Sequence, residues 1–172
     1  MKLCHGSNQR VPEYHAWACL CAGMKIRTYV ELGCGSSHSF QQAGTEKVVT
    51  VDVLPNGLPG IRHFQGNSHD PEILKQVLEF LGDQPDVVFV DADHSDEAVR
   101  ADFNLWWPNT GLTLGFHDIL MASVAPFWNE ISLQYPSVQI IGKDIASANE
   151  WQYPGPHLSG QVGCGGIGVL FK

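Results

Sequence analysis

The chain has 172 residues, a formal charge of −8, 44% hydrophobic and 16% charged residues. That composition excludes a disordered chain, and the length suffices for one domain with its own core. The ten Lys and Arg residues form no basic stripe, which argues against nucleic acid and for a neutral or cationic small molecule as the partner. Five cysteines (Cys4, Cys19, Cys21, Cys34, Cys164) are an odd number without CxxC spacing, so they read as reduced thiols in a cytoplasmic protein. No signal-like or membrane-length apolar run occurs. Residues 1–172 are therefore expected to make a single domain, with 1–11 as an N-terminal arm.

Short β-branched runs alternate with amphipathic stretches, the pattern of an α/β fold. A helix is expected from Pro12, with Tyr14, Trp17, Ala18 and Cys21 on one face. "TYVELG" (28–33), "KVVTVDV" (47–53) and "IRHFQG" (61–66) read as strands one to three. Only "LPNGLPG" separates strands two and three, which is short for a parallel crossover. Either a tight loop replaces the helix there or the strand boundaries differ. Asp70 and Pro71 open a helix whose face carries Ile73, Leu74, Val77, Leu78 and Leu81, and Gly82 stops it.

"DVVFVD" (86–91) reads as a strand covered on both faces. Val99, Phe103 and Trp106 then recur at helical spacing until Pro108, and "LTLGF" (112–116) is a fifth strand. A helix with Phe127 and Ile131 inward ends before Pro136. "VQIIG" (138–142) and "GIGVLFK" (166–172) have no helical pattern between them and are expected to pair antiparallel.

"YVELGCGSSHSF" (29–40) is a strand entering a Gly-rich turn and then a helix. Gly33 and Gly35 let the backbone turn sharply and approach a ligand. About twenty residues on, Asp52 ends the second strand, where a carboxylate can accept from both ribose hydroxyls. Turn and acid together indicate an adenosine-containing cofactor. The alternative is a tight turn with Asp52 capping a loop. A dinucleotide site would want a third glycine where this chain has His38. Glu31 would repel a pyrophosphate but suits a cationic amino group, which favours S-adenosylmethionine over NAD. The late Gly163, Gly165 and Gly168 precede a strand, not a helix, and read as a bulged strand entry.

"VFVDADHSDEAV" (88–99) gathers Asp91, Asp93, His94, Asp96 and Glu97. Metal site, acid–base pair and helix start all remain open for it. Asp96 and Glu97 suit the first turn of a helix after Ser95, where the helix dipole favours acids. His94 either caps and packs or touches cofactor or acceptor. Trp106 and Trp107 read as packing residues, and His5, His15, His63, His69 and His157 as surface residues.

The order of "ELGCGSS", "VDV", "GNS", "VDADH" and the terminal strand pair resembles class I S-adenosylmethionine-dependent methyltransferases. "QGNSHDPEILKQV" (65–77), "VFVDADHSDEAVRADFNLWWP" (88–108) and "GFHDI" (115–119) resemble more closely the small-molecule O-methyltransferases of the cephalosporin-hydroxylase-like kind. The resemblance runs from about residue 12 to the end. It implies a Rossmann-like, doubly wound sheet of order 3-2-1-4-5-7-6, mostly parallel with an antiparallel last strand, and helices on both faces.

It further implies that Glu31, Gly33 and Gly35, with Ser36 and Ser37 in the same turn, hold the methionine part. Asp52 and the adjoining Val53 would serve the ribose, and Gly66, Asn67 and Ser68 the adenine. Asp91 would border the cofactor and, with His94, His117 and Asp118, carry the chemistry. Asp91 and Asp118 are the positions at which such relatives hold Mg²⁺. Those relatives often have a second acid where this chain has His117, a poorer Mg²⁺ ligand and a better base.

The expected activity is O-methylation of a small hydroxylated metabolite or sugar. An NAD-dependent oxidoreductase and an inactive cofactor-binding protein of the same fold are the alternatives. A homodimer is expected if a second subunit completes the acceptor pocket.

Overall fold

The computed structural model describes residues 11–34, 45–55, 60–142 and 165–172. Seven strands form one sheet in the order β3-β2-β1-β4-β5-β7-β6. These are β1 (Thr28–Leu32), β2 (Lys47–Asp52), β3 (Arg62–Gln65), β4 (Val87–Val90), β5 (Thr113–Phe116), β6 (Ser137–Ile140) and β7 (Ile167–Phe171). Neighbours from β3 to β5 pair parallel, and β7 runs antiparallel to both β5 and β6. The expected order and the reversed last strand are both present.

Side-chain alternation along the strands sorts the core into two layers. Val30, Leu32, Val88, Val90, Leu114 and Phe116 face α2 (Pro71–Leu81), α3 (Asp96–Trp106) and α4 (Ala125–Ile131). Tyr29, Val87, Phe89, Ile167 and Val169 face α1 (Val11–Met24), whose Trp17, Ala18 and Cys21 are buried against them. Helices thus cover both faces. The helix expected after the Gly-rich turn falls on residues 35–44, outside the described residues.

Local chemistry sets the helix limits. Asp70 caps α2 by accepting from the Glu72 amide at 2.9 Å, Pro71 starts the helix, and Gly82 ends it with φ 81°. Ser95 caps α3 through the Ala98 amide at 3.3 Å. Trp107–Asn109 then form a 3₁₀ turn, so Pro108 ends the α-helix one turn earlier than it ends helical backbone.

The short β2–β3 connection is a tight crossing. The strands pair parallel with Val51 opposite Phe64 and Asp52 opposite Gln65. Side chains brace its described ends: His63 bonds Thr50 Oγ1 at 2.9 Å and the Leu54 carbonyl at 3.0 Å. Gln65 Nε2 donates to the Val53 carbonyl at 3.1 Å. His63, expected on the surface without a partner, is thus a structural brace.

Candidate active site

The C-terminal ends of the parallel strands lie in step. Leu32 is registered with Val51 on one side and Val90 on the other, and Val90 with Phe116. The pairing continues one residue past the strands. Gly33 N–H donates to the Val51 carbonyl at 2.8 Å, Asp91 N–H to Leu32 at 2.9 Å and His117 N–H to Val90 at 3.0 Å. Gly33, Asp91 and His117 therefore stand side by side along one edge, where ligands bind in open α/β sheets.

Gly33 is required there on two counts. Its φ is 80°, and a Cβ would sit 2.3 Å from the Asp91 carbonyl oxygen and from Ala92 Cα. The turn after β1 thus passes against the end of β4, bringing the glycine turn and the acidic run together.

A cleft of about 480 Å³ opens along this edge, lined by Gly33, Val51, Asp52, Val53, Asn67, Ser68, His69, Asp91, Ala92 and Asp93. It is within the usual size of small-molecule sites, and its three carboxylates suit a cationic ligand. Gly33, Asp52, Val53, Asn67, Ser68 and Asp91 from the sequence reading all line it. Gly66 lies behind the turn, where its missing side chain leaves room for Ile73; a Cβ would stand 2.5 Å from Ile73 Cδ1. Glu31 is buried and is not among the lining residues; alternation places it on the Tyr29 face. Gly35, Ser36 and Ser37 lie outside the described residues.

Asp52 shapes its own turn, with Oδ1 accepting from the Leu54 amide at 2.9 Å. Its backbone carbonyl accepts from Gly66 N–H at 2.9 Å, tying β2 to the 66–69 turn. Asn67 Oδ1 accepts from the His69 amide at 3.0 Å, closing that turn.

At the Asp91 end of the cleft, four side chains converge. His117 Nδ1 lies 2.9 Å from Asp91 Oδ1. His94 Nε2 lies 3.3 Å from Asp91 Oδ1 and 3.6 Å from Asp118 Oδ2, and Asp118 Oδ2 lies 3.6 Å from His117 Nδ1. Burial alone would lower the His117 pKa, but the charge and hydrogen bond of Asp91, then Asp118 and Glu13, push it up to about 9. Burial works to raise Asp91, yet His117 and His94 hold it well below the usual carboxylate range. Burial likewise works to lower His94, but Asp91 and Asp118 outweigh it and raise the pKa.

Backbone geometry sets the cluster. Asp118 has φ 55°, a rare value for a non-glycine residue. The amides that follow it are held by β7's entry: Ile119 N–H donates to Gly166 at 3.3 Å and Leu120 N–H to Gly165 at 3.1 Å. Asp93 Oδ1 accepts from the Ser95 amide at 2.8 Å, so the turn carrying His94 is pinned as α3 begins. Asp96 serves the helix, as expected, accepting from Arg100 Nε at 2.8 Å, and Arg100 reaches Glu130 at 2.8 Å. The acidic run divides into a site half (Asp91, Asp93, His94) and a helix half (Asp96, Glu97).

Two acids that the sequence reading passed over and one histidine that it placed on the surface belong to this region. Glu13 in the first turn of α1 is fully buried, accepts from the Gly142 amide at 2.9 Å, and its charge acts on His117. Asp102 on α3 is fully buried behind the cleft, 3.5 Å from His69 Nε2. Its burial pushes its pKa up to about 6, against the lowering influence of Ser68 and His69. His69, expected on the surface, lines the cleft. One α3 turn from Asp102, Trp106 Nε1 donates to the Ser68 carbonyl at 2.9 Å, so α3 grips the 66–69 turn from behind. A signal existed for both acids: Glu13 stands four residues before Trp17, and Asp102 between Ala98 and Trp106, each on a stripe of buried residues.

No curated protein matches the sequence. Among solved structures, the fold is similar to the methyltransferase MycE from the mycinamycin biosynthetic pathway, in complex with Mg, S-adenosylhomocysteine and mycinamycin VI (15% identity, TM-score 0.57). The match covers 94% of this chain and 48% of that one, so the chain spans about half of MycE's length. It is also similar to the O-methyltransferase from Bacillus cereus in complex with S-adenosylhomocysteine (12% identity, TM-score 0.56, 97% and 84% coverage). A third is the O-methyltransferase TomG from Streptomyces achromogenes, involved in tomaymycin synthesis, in complex with S-adenosylmethionine (12% identity, TM-score 0.55, 95% and 81% coverage). At such identities these likenesses show the fold. Residues 18–119, more than half of the chain, match the family described as "Methyltransferase domain". The chain belongs to the methyltransferase-domain family.

Proposed function

We propose that the protein transfers a methyl group from S-adenosylmethionine to a hydroxyl of a small metabolite or sugar. The observation that carries this reading is one cleft joining Asp52 at the end of β2 to Asp91 at the end of β4, with His94, His117 and Asp118 gathered at Asp91. The solved relatives with S-adenosylmethionine or S-adenosylhomocysteine bound support the choice of methyl donor. The acidic lining supports it too, because the donor carries a sulfonium and an ammonium group.

In this reading Asp52 receives the ribose hydroxyls, and Asn67 and Ser68 border the adenine. Asp91 faces the positive sulfur end. S-adenosylmethionine supplies the methyl group as a sulfonium, and the S–C electron pair leaves with sulfur as the acceptor oxygen bonds the methyl carbon. Protein groups align that in-line displacement and remove the hydroxyl proton. His94 is suited to removing the proton, since its Nε2 lies 3.3 Å from Asp91 Oδ1 and 3.6 Å from Asp118 Oδ2, and both carboxylates stabilise its protonated form. His117, already bonded to Asp91, fixes that carboxylate.

One continuous seven-stranded sheet supports reading residues 1–172 as one domain. A second copy of the chain closing the acceptor side belongs to the proposal as well. The test is calorimetry with S-adenosylhomocysteine and with NAD. Micromolar binding of the first alone is expected; binding of NAD alone would sink the proposal.

A further inference from the structure

We propose that Asp102 and His69 form a proton-holding pair in the wall of the cleft, so that a ligand covering His69 takes up a proton as it binds. Such a pair regulates the site of the methyl-transfer reading, and the choice of ligand rests on that reading. A short run of contacts leads from the core to the cleft. Asp102 sits on α3 with no exposed surface. Its Oδ1 lies 3.5 Å from Nε2 of His69, whose side chain is 28% exposed and lines the cleft. The acid is sealed from solvent, and the ring beside it is not.

The turn that carries His69 is braced on three sides. Trp106 Nε1 donates to the Ser68 carbonyl at 2.9 Å, and Asn67 Oδ1 accepts from the His69 amide at 3.0 Å. The Asp70 amide donates to the Asn67 carbonyl at 3.0 Å as α2 begins. A ring on a turn held in this way stays beside the acid.

Groups from two other segments act on Asp102. Burial is the largest influence and disfavours its charge, and Asp93 in the β4–α3 turn works in the same direction. Ser68 and His69 in the 66–69 turn favour the ionised form. The balance raises its pKa to about 6, so the pair exchanges a proton in the range where binding is measured.

Water at the exposed edge of His69 stabilises charge on the pair. A ligand that lies over this edge removes that water, and an uncharged purine or ribose supplies no counter-charge in its place. The covered pair then favours the protonated acid. The carboxyl pKa is therefore higher with the cleft filled than with it empty. Affinity is greatest at low pH and declines as pH rises through the two values. If occupancy makes the acid hold its proton about tenfold more tightly, binding is about fivefold weaker at pH 8 than at pH 6.

The experiment is calorimetry on the full-length protein with S-adenosylhomocysteine, in buffers of different ionisation enthalpy. At pH 7 the wild type should take up about 0.4 proton more than Asp102→Asn. Its Kd should rise about fivefold from pH 6 to 8 relative to that of the variant. A purely structural role for Asp102 would change affinity equally at every pH. His69→Gln keeps a donor toward the acid and removes the ring's charge, so its proton uptake should persist with a midpoint at higher pH. Equal proton uptake in wild type and Asp102→Asn, or an unmoved midpoint in His69→Gln, would overturn the proposal. Titration with NAD separates this inference from the choice of methyl donor. Binding of NAD alone, with an uptake that Asp102→Asn loses, would end the methyl-donor reading and leave the pair standing. Binding of neither ligand overturns both.

Discussion

His117 Nδ1 and Asp91 Oδ1 meet at 2.9 Å across the ends of the adjacent parallel strands β5 and β4, with His117 buried. The contact joins a residue from "GFHDI" to one from "VDADH", and the His94–Asp91 and His117–Asp118 distances each share one of its two atoms.

The pair predicts a pH window for stability. Burial opposes the charge on His117, but Asp91, Asp118 and Glu13 raise its pKa to about 9. Its stabilisation is therefore complete below its unfolded value near 6.5 and is lost as pH rises through about 9. Asp91 is held low, so its contribution is present above about 4 and lost in more acidic solution. Asp91→Asn should lower stability by roughly 3 kcal/mol between about pH 5 and 8, with the difference shrinking above about pH 9. Thermal melts across pH, with an NMR titration of the His117 ring, check both limits; a His117 midpoint near 6.5 would remove the premise.

Asp102 predicts the opposite sign. Burial raises its pKa to about 6, so the folded state disfavours its ionised form and stability falls as pH rises from about 4 to 6. Asp102→Asn removes that penalty and should stabilise the protein near pH 7.5 by about 1–3 kcal/mol, with the gain disappearing toward about pH 4. Denaturant unfolding at the two pH values measures it. Destabilisation at the higher pH would mean that the charge is needed to hold His69 and the 66–69 turn.

With Asp52 proposed to receive the ribose hydroxyls, Asp52→Ala should weaken S-adenosylhomocysteine binding tenfold or more. The Asp52 side chain also braces the Leu54 amide, so Asp52→Asn is the companion variant. It keeps an acceptor for that amide and should still lose affinity. Wild-type affinity in both variants, measured by calorimetry, would move the ribose elsewhere.

Gly33→Ala should destabilise the chain by more than about 3 kcal/mol, because a positive φ and a clash with backbone coincide. Neither Asp91 O nor Ala92 Cα can rotate away as a side-chain tip could. A melting temperature within a few degrees of wild type would show that the β1 turn and the end of β4 can separate.

Much of the fold was legible because local rules and the hydrophobic period agreed. Asp70–Pro71 and Gly82 bounded α2, Ser95 opened α3, and the apolar "VVFV" of β4 lay central and covered on both faces. The tight β2–β3 crossing was one of two readings, and the braces that favour it, His63 to Thr50 and to Leu54, are side-chain contacts that periodicity does not encode. Gly33, Asp52, Asn67, Ser68 and Asp91 were marked by motif and do line one cleft.

Chain order alone carries the succession of chemistry along the strands: a glycine turn after β1, an acid closing β2, and an acidic run after β4. Those are properties of neighbouring residues. Which of the charges share a dielectric environment is a matter of tertiary packing. Packing brought His94 within reach of Asp118, buried Glu13 where its charge acts on His117, and buried Asp102 beneath the 66–69 turn. Burial and pairing set a titratable group's protonation, and both depend on what packs against it from distant parts of the chain. The run "VFVDADHSDEAV" supplied two of the four converging side chains, and the residues just past β5 supplied the other two.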